Sequence, residues 1–340
     1  MIQKIQKNLS RNMLLYASLA MILGVLAGHY LNLKGLSKLI IPVVFIMIFP
    51  MMVNLSFSSL KKIKGSTKPL FEAMILNFII APLLMWLLAS IFISDAKIRL
   101  ALMLLSIAPA SSMGLGYIGL AEGHMLTGAT IVAVAFLLSI FVYPVVGHYL
   151  ALGTNIPVPL TLILKNLLII LILPAVSGIL LREYIEKTHG KEKFLEIKPY
   201  FSTVTLTFLY VLLFIIFASK ANLILKNYFD IILLLPLAIL FYGMTALLIL
   251  FTNRKILQLE YGHHQAVVFT TVSKNVALTI AVLVSVFGKE GQYMAVYPAI
   301  MSIFQTIFLV SYLKLSDKVK WIFDYERSKA KDGLSKPEEM

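Results

Sequence analysis

Thr270-Thr271-Val272-Ser273-Lys274-Asn275-Val276-Ala277 lies in the middle of an apolar segment running from Ala266 to Phe287. Its lysine, asparagine and hydroxyls stand where a membrane helix would carry Leu, Ile and Val. A charged side chain near the bilayer centre costs roughly 2.5–3.5 kcal/mol on insertion scales, and it persists where it faces a bundle interior or a wet cavity with a task there. The cluster is therefore read as a transport site. The competing reading is a polar clasp between helices, with Lys274 paired to a carboxylate for packing alone.

The rest of the chain supplies the membrane. Its 340 residues are 59% hydrophobic and 14% charged, with a mean hydropathy of +0.90; a soluble domain carries about 25% charged residues. Apolar runs of about 20 residues recur, which predicts an all-helical polytopic membrane protein. The net charge of +14 sits in loops and tail. There it reports orientation and contact with lipid headgroups, and nucleic acid is not expected as a partner. The chain has no cysteine, so disulfides, thiolate metal sites and cysteine nucleophiles are excluded. The opening MIQKIQKNLSRN precedes an apolar run too long for a signal-peptide core, so that run is read as the first span.

Ten spans are expected: Met13–Leu33, Leu36–Phe57, Leu70–Ile93, Leu100–Leu120, Met125–Leu150, Leu160–Leu181, Pro199–Ser219, Phe229–Thr252, Ala266–Phe287 and Tyr293–Leu313. With the N-terminus inside, lysines and arginines in inner connections outnumber those outside by roughly three to one, which places both termini in the cytoplasm. The tail from Lys314 is read as a frayed cytoplasmic extension, with Trp321 and Phe323 at the headgroup layer.

Three features recur at one constant offset. Gly24-Val25-Leu26 matches Gly178-Ile179-Leu180, Pro82 matches Pro236, and Tyr143-Pro144 matches Tyr297-Pro298. The chain therefore divides into a cytoplasmic N-terminus (1–12), a first five-helix repeat (13–150), a second repeat (160–313) and the tail (314–340). Five is odd, so the second repeat is inverted, a common plan of secondary transporters. Span 4 then partners span 9. It reads Ala108-Pro109-Ala110-Ser111-Ser112-Met113-Gly114-Leu115-Gly116; Pro109 removes a backbone hydrogen bond, and the glycines, Gly116 among them, weaken the helix beyond it. Both spans are expected to be broken and to cross. Half-helix N-termini would face an anion and freed carbonyls a cation.

The expected binding residues are Lys274, Asn275, Ser273, Thr271 and Thr270 from span 9, Ser111, Ser112, Met113 and Gly114 from span 4, and Asn77 and Gln305 from spans 3 and 10. Pro109 and Gly116 are the expected helix breaks. Glu72 and Asp230, near helix ends, are read as interfacial. His263-His264 lacks a nearby carboxylate or thiol, so no metal site is expected. No phosphate loop, nucleophile elbow or metalloprotease motif is present, and neither enzyme chemistry nor a cofactor is expected.

Phe45-Ile46-Met47-Ile48-Phe49-Pro50-Met51-Met52-Val53, Phe57-Ser58-Ser59-Leu60, Lys68-Pro69, Ile107-Ala108-Pro109 and Phe269–Asn275 resemble the bile acid:sodium symporter superfamily. The nearer likeness is to its arsenical-resistance (arsenite permease) branch. The resemblance implies a core built around crossing spans 4 and 9, a panel that moves against it, and exchange coupled to an ion gradient. Arsenite permeases carry a cysteine directly after the span 4 proline, where this chain has Ala110, and trivalent arsenic prefers thiolates. The sodium symporters place Ser and Asn in span 4, and Glu and Gln in span 9, around two sodium ions. Here span 4 offers Gly114 and Leu115, and the span 9 acid is missing. Lys274 sits close to where a cation would be.

The resulting expectation is a secondary transporter of a small anionic or polar organic solute, working by alternating access, sodium-independent with Lys274 replacing the sodium ion, and with a proton, or alternatively sodium, as the coupling ion. Arsenite or antimonite efflux is the alternative within transport, and a non-transporting receptor or scaffold the alternative outside it.

Overall fold

The computed structural model describes residues 2–31, 33–54, 66–111, 113–152, 161, 165 and 168–324. Among these residues the chain is helical, with no named strand. A short charged helix α1 (Ile2–Arg11) precedes α2 (Met13–Leu31), and the Tyr210 hydroxyl ties it down by donating to the Leu9 carbonyl at 2.8 Å. A 3₁₀ turn, Leu33–Leu39, leads into α3 (Ile40–Val53). Helix α4 (Thr67–Ile75) passes through a π turn, Leu76–Ile80, into α5 (Ala81–Phe92). Pro82 explains the wide turn: it has no N–H to continue the ladder, and a π turn absorbs the missing bond.

Helix α6 (Ala96–Ser106) starts where the Asp95 carboxylate accepts from the Lys97 backbone N–H at 2.7 Å, and it is followed by α7 (Met113–Leu120) and α8 (Met125–Leu152). Helix α9 (Leu173–Ser219) is interrupted at Gly190, whose φ of 82° lies where L side chains are strained. Then come α10 (Ala221–Lys226), α11 (Tyr228–Phe251) with its π turn Thr252–Ile256, α12 (Tyr261–Val272), α13 (Val276–Met294) and α14 (Val296–Lys314).

Among the described residues, seven helical stretches are long and apolar enough to cross a membrane: Met13–Leu31, Leu33–Val53, Thr67–Phe92, Met125–Tyr149, Leu173–Ser219, Tyr228–Ile256 and Val296–Lys314. The expected spans 4 and 9 are absent from this set: the first is divided between the short helices α6 and α7, the second between α12 and an α13 interrupted at Gly288. Exposed Leu15, Ile22, Trp86, Phe141, Leu247 and Phe251 give the outer surface the apolar character that lipid demands. Inside, α9 lies tightly along α2: a Cβ on Gly28 would come 2.0 Å from the Ala218 carbonyl oxygen.

Three expectations change. Phe323 is not open to lipid headgroups; it is buried, tilted 32° against the His264 ring with centroids 4.7 Å apart, in a helical continuation of the chain through residue 324. Glu72 is buried rather than interfacial, because Thr252 donates to it from the π turn after α11. Gly116 is not a helix break: it lies within α7, since an isolated glycine weakens a helix without removing a hydrogen bond. The break falls before it, at the proline.

Candidate functional site

The segments 107–111 and 273–275 meet at the centre of the bundle. Ala110 and Lys274 form an isolated antiparallel bridge. Ser111 N–H donates to the Ser273 carbonyl at 2.7 Å, and Asn275 N–H donates to the Pro109 carbonyl at 3.0 Å. Backbone that leaves the helix at membrane depth must find partners within the protein, and here each break satisfies the other. Pro109 starts one break by lacking an N–H, and Asn275 ends the other: its side chain accepts from Leu278 N–H at 3.1 Å, capping α13. Two half-helices, α7 and α13, thus begin at the crossing with their positive ends.

Lys274 is 2% exposed and donates from Nζ to Asn77 Oδ1 at 2.6 Å. Gln305 clasps its backbone from both sides, accepting from Lys274 N–H at 3.0 Å and donating to its carbonyl at 3.3 Å. No ion pair among the described residues includes Lys274. The clasp to a carboxylate is therefore not what holds it, and an ammonium buried against a neutral amide bears a desolvation penalty of several kcal/mol.

The other expected residues divide. Thr271 Oγ1, Ser273 Oγ and Asn77 Nδ2 are buried without hydrogen-bond partners among the described residues, a pattern that in native proteins calls for an explanation such as a ligand or water. Thr270 is turned into its own helix, donating to the Ala266 carbonyl at 2.6 Å, so its hydroxyl does not face the crossing. Ser111 accepts from Met113 N–H at 3.2 Å and starts α7. Gly114 permits the close approach of α7 to α12: a Cβ there would lie 2.7 Å from the Phe269 carbonyl oxygen. Ser112 lies outside the described residues. Asn275 also donates to the Met51 sulfur at 3.6 Å, bringing α3 to the edge of the site.

Two further clusters carry chemistry. Thr127 Oγ1 lies 2.7 Å from Ser66 Oγ, 2.8 Å from His124 Nδ1 and 2.9 Å from His263 Nδ1. Burial, then the neighbouring His124, hold the His263 imidazole below its ordinary range. Elsewhere a cavity of about 370 Å³ is lined by Lys34, Lys220 and Lys289 with Ser37, Ser219 and Asn222, and its lining includes no acidic residue. Burial lowers the Lys220 ammonium. Isolated histidines and loop lysines carry no signal of such grouping in a sequence; the fold assembles both clusters from distant connections.

Residues 41–227 match the sodium bile acid symporter family, and the chain belongs to it. It is an integral membrane transporter of that family and not an enzyme. A protein of Synechocystis described as an uncharacterized transporter is 26% identical over 310 residues, covering 82% of this chain and 80% of its own. The arsenical-resistance protein Acr3 of Alkaliphilus metalliredigens is 30% identical over 210 residues, 58% of each chain. The protein of the same name from Corynebacterium glutamicum is 25% identical over 304 residues, covering 82% of this chain and 80% of its own.

Proposed function

We propose that the chain is a ten-span, inverted-repeat secondary transporter of a small anionic solute, working by alternating access without sodium, with the Lys274 ammonium standing where a coupling cation would bind. The observation that carries this is the buried Lys274–Asn77 contact at the crossing of two broken helices, with no carboxylate paired to the lysine. A fixed positive charge between two half-helix N-termini favours a negative ligand. The unpartnered Thr271 and Ser273 hydroxyls are suited to receive its polar groups. The cavity of three lysines supports the same sign of charge, since a cationic mouth raises the local concentration of anions. Orientation with both termini inside rests on the loop charges. The order of spans, whichever way it faces, agrees with two ion pairs that join connections assigned to one side: Lys97 with Glu290 at 2.8 Å and Lys320 with Glu122 at 2.7 Å.

The test is flux in proteoliposomes against a panel of radiolabelled organic and inorganic anions, in sodium and in potassium. Uptake of at least one anion, equal in both salts and lost in Lys274→Gln, is expected. Strict sodium dependence, or normal flux in Lys274→Gln, returns the lysine to a structural role. Arsenite efflux is the second reading, favoured by the two relatives named for arsenical resistance. Against it stands Ala110, at the crossing opposite Lys274, where a thiol would be needed. Expression in an arsenite-sensitive host should give little protection; robust resistance would promote this reading.

A further inference from the structure

One layer along the bundle from Lys274 lies a second buried polar chain. The elements that supply Asn77, Lys274 and Gln305 also supply Glu72, His264 and Tyr312. Glu72 is on α4 before the π turn that holds Asn77, His264 is on α12 before the break, and Tyr312 is on α14 beyond Gln305. Asn253, from the π turn after α11, joins them. Glu72 is 7% exposed, while Asn253 and His264 are fully buried. Thr252 donates to one carboxyl oxygen of Glu72, the Asn253 amide faces both, the other end of that amide lies 3.0 Å from His264 Nδ1, and His264 Nε2 lies 2.9 Å from the Tyr312 hydroxyl.

These heavy atoms fit two hydrogen-bond patterns, related by turning the amide over. In the first, Glu72 carries a proton and donates it to Asn253 Oδ1, Asn253 Nδ2 donates to His264 Nδ1, and His264 Nε2–H donates to Tyr312. In the second, Glu72 is a carboxylate, Asn253 Nδ2 donates to it, Oδ1 accepts from His264 Nδ1–H, and the Tyr312 hydroxyl donates to Nε2. Every polar atom of the chain is paired in either pattern. A carboxylate admits only the second, because Asn253 Oδ1 would face it acceptor to acceptor; a neutral histidine serves both, so the first pattern requires the proton on Glu72.

We infer that Glu72 is a reversible proton-binding site whose occupancy reverses the hydrogen-bond chain through Asn253 and His264 to Tyr312, supplying the coupling proton of the transport cycle. The charged and titratable groups on the elements packed against Glu72 are Lys68 on its own helix, His124 at the head of α8, Arg254 and Lys255 in the π turn, and Glu260 and His263 at the head of α12. Among the described residues no ion pair joins Lys68, His124 or His263 to Glu72. Its partners in the chain are neutral amide, hydroxyl and imidazole groups, which serve the acid and the carboxylate alike. Net, one proton leaves the chain: Glu72 gives up its proton, His264 gains one at Nδ1 and passes its Nε2 proton to the Tyr312 oxygen, and the Tyr312 hydroxyl proton departs at the far end, so only Glu72 changes charge.

The inference rests on the transport reading only in naming the proton as the coupling ion. Its test needs neither solute nor flux, so the two can fail separately. Infrared difference spectra of the full-length protein in detergent, taken across its stable pH range, should contain a carboxylic-acid carbonyl band that Glu72→Gln loses. In Glu72→Asp the band should move rather than vanish, which serves if the glutamine variant does not fold. With ¹⁵N-labelled histidine, and His264→Asn to identify the signal, His264 should hold its proton on Nε2 while that band is present and on Nδ1 after it disappears. In Glu72→Gln, whose amide does not titrate, the His264 tautomer should not change with pH. A Glu72 that is a carboxylate throughout, or a His264 tautomer that does not follow the band, overturns the proposal.

Discussion

Lys274 places its ammonium 2.6 Å from Asn77 Oδ1, while the amide nitrogen of Asn77 has no partner among the described residues. The asparagine thus presents its oxygen to a cation and leaves its donor end unused. On the proposed function, this acceptor holds a cation that is covalently part of the chain.

If that is so, the wild-type protein should melt at the same temperature in sodium as in potassium. Lys274→Gln removes the tethered cation, keeps an amide that can donate to Asn77, and relieves the desolvation penalty of the ammonium. It should stay folded and gain a sodium response, since a ligand at a hundred times its Kd adds about 2.7 kcal/mol to the native state. Melting curves of both proteins in the two salts decide it. Sodium stabilisation of the wild type would contradict the assignment.

The glycines of α7 should separate by position. Gly114→Ala drives a methyl to 2.7 Å from the Phe269 carbonyl oxygen, whereas nothing lies within 4 Å of a Cβ on Gly116. We expect Gly114→Ala to cost about 1–3 kcal/mol as an overpacked helix contact. Gly116→Ala should be neutral or stabilising by up to about 1 kcal/mol, because alanine is the better helix former. Denaturation of the purified variants in detergent measures both, and equal effects would show that the two helices are not held this closely.

Much of this site could be read from the chain because the bilayer penalises exceptions. Lys274, Asn77 and Gln305 are conspicuous in apolar segments, and the structure brings all three into contact. Pro109 announced its break through its missing N–H. Thr270 misled, since a helical threonine can return its hydroxyl to its own backbone, and no sequence shows which way it turns. Glu72 was hidden for a different reason. Its position near a helix end reads as interfacial, and only the π turn at Thr252–Ile256 carries Thr252 and Asn253 over it.

Orientation can be tested with single cysteines in this cysteine-free chain. Not every position takes a probe: Ser66 is buried against Thr127 at 2.7 Å, and a Cβ on Gly291 would run into the Leu283 carbonyl oxygen. Gly35 is exposed with nothing within 4 Å of an added Cβ, and Lys191 is exposed beside the Gly190 break. In intact cells Gly35→Cys should react with a membrane-impermeant thiol reagent, and Lys191→Cys should react only after lysis. The reverse pattern would invert the topology.

The last prediction concerns acid. Thr127 N–H donates to His124 Nδ1 at 3.2 Å, so that nitrogen is an acceptor. The single proton of the Thr127 hydroxyl can satisfy one ring only, which leaves His263 Nδ1 to donate to it at 2.9 Å. Burial and His124 lower the affinity of His263 for a proton in the folded state. The unfolded chain therefore binds a proton more readily, and stability falls as pH falls. The contribution is fully present above the ordinary imidazole value of about 6.5, declines below it, and levels off once the folded ring itself is protonated. His263→Gln can still donate to Thr127 but cannot titrate. Melting temperatures near pH 8 and pH 5.5, on either side of the imidazole range, should drop further on acidification in the wild type than in His263→Gln. An identical drop in both proteins would mean that this cluster does not sense pH.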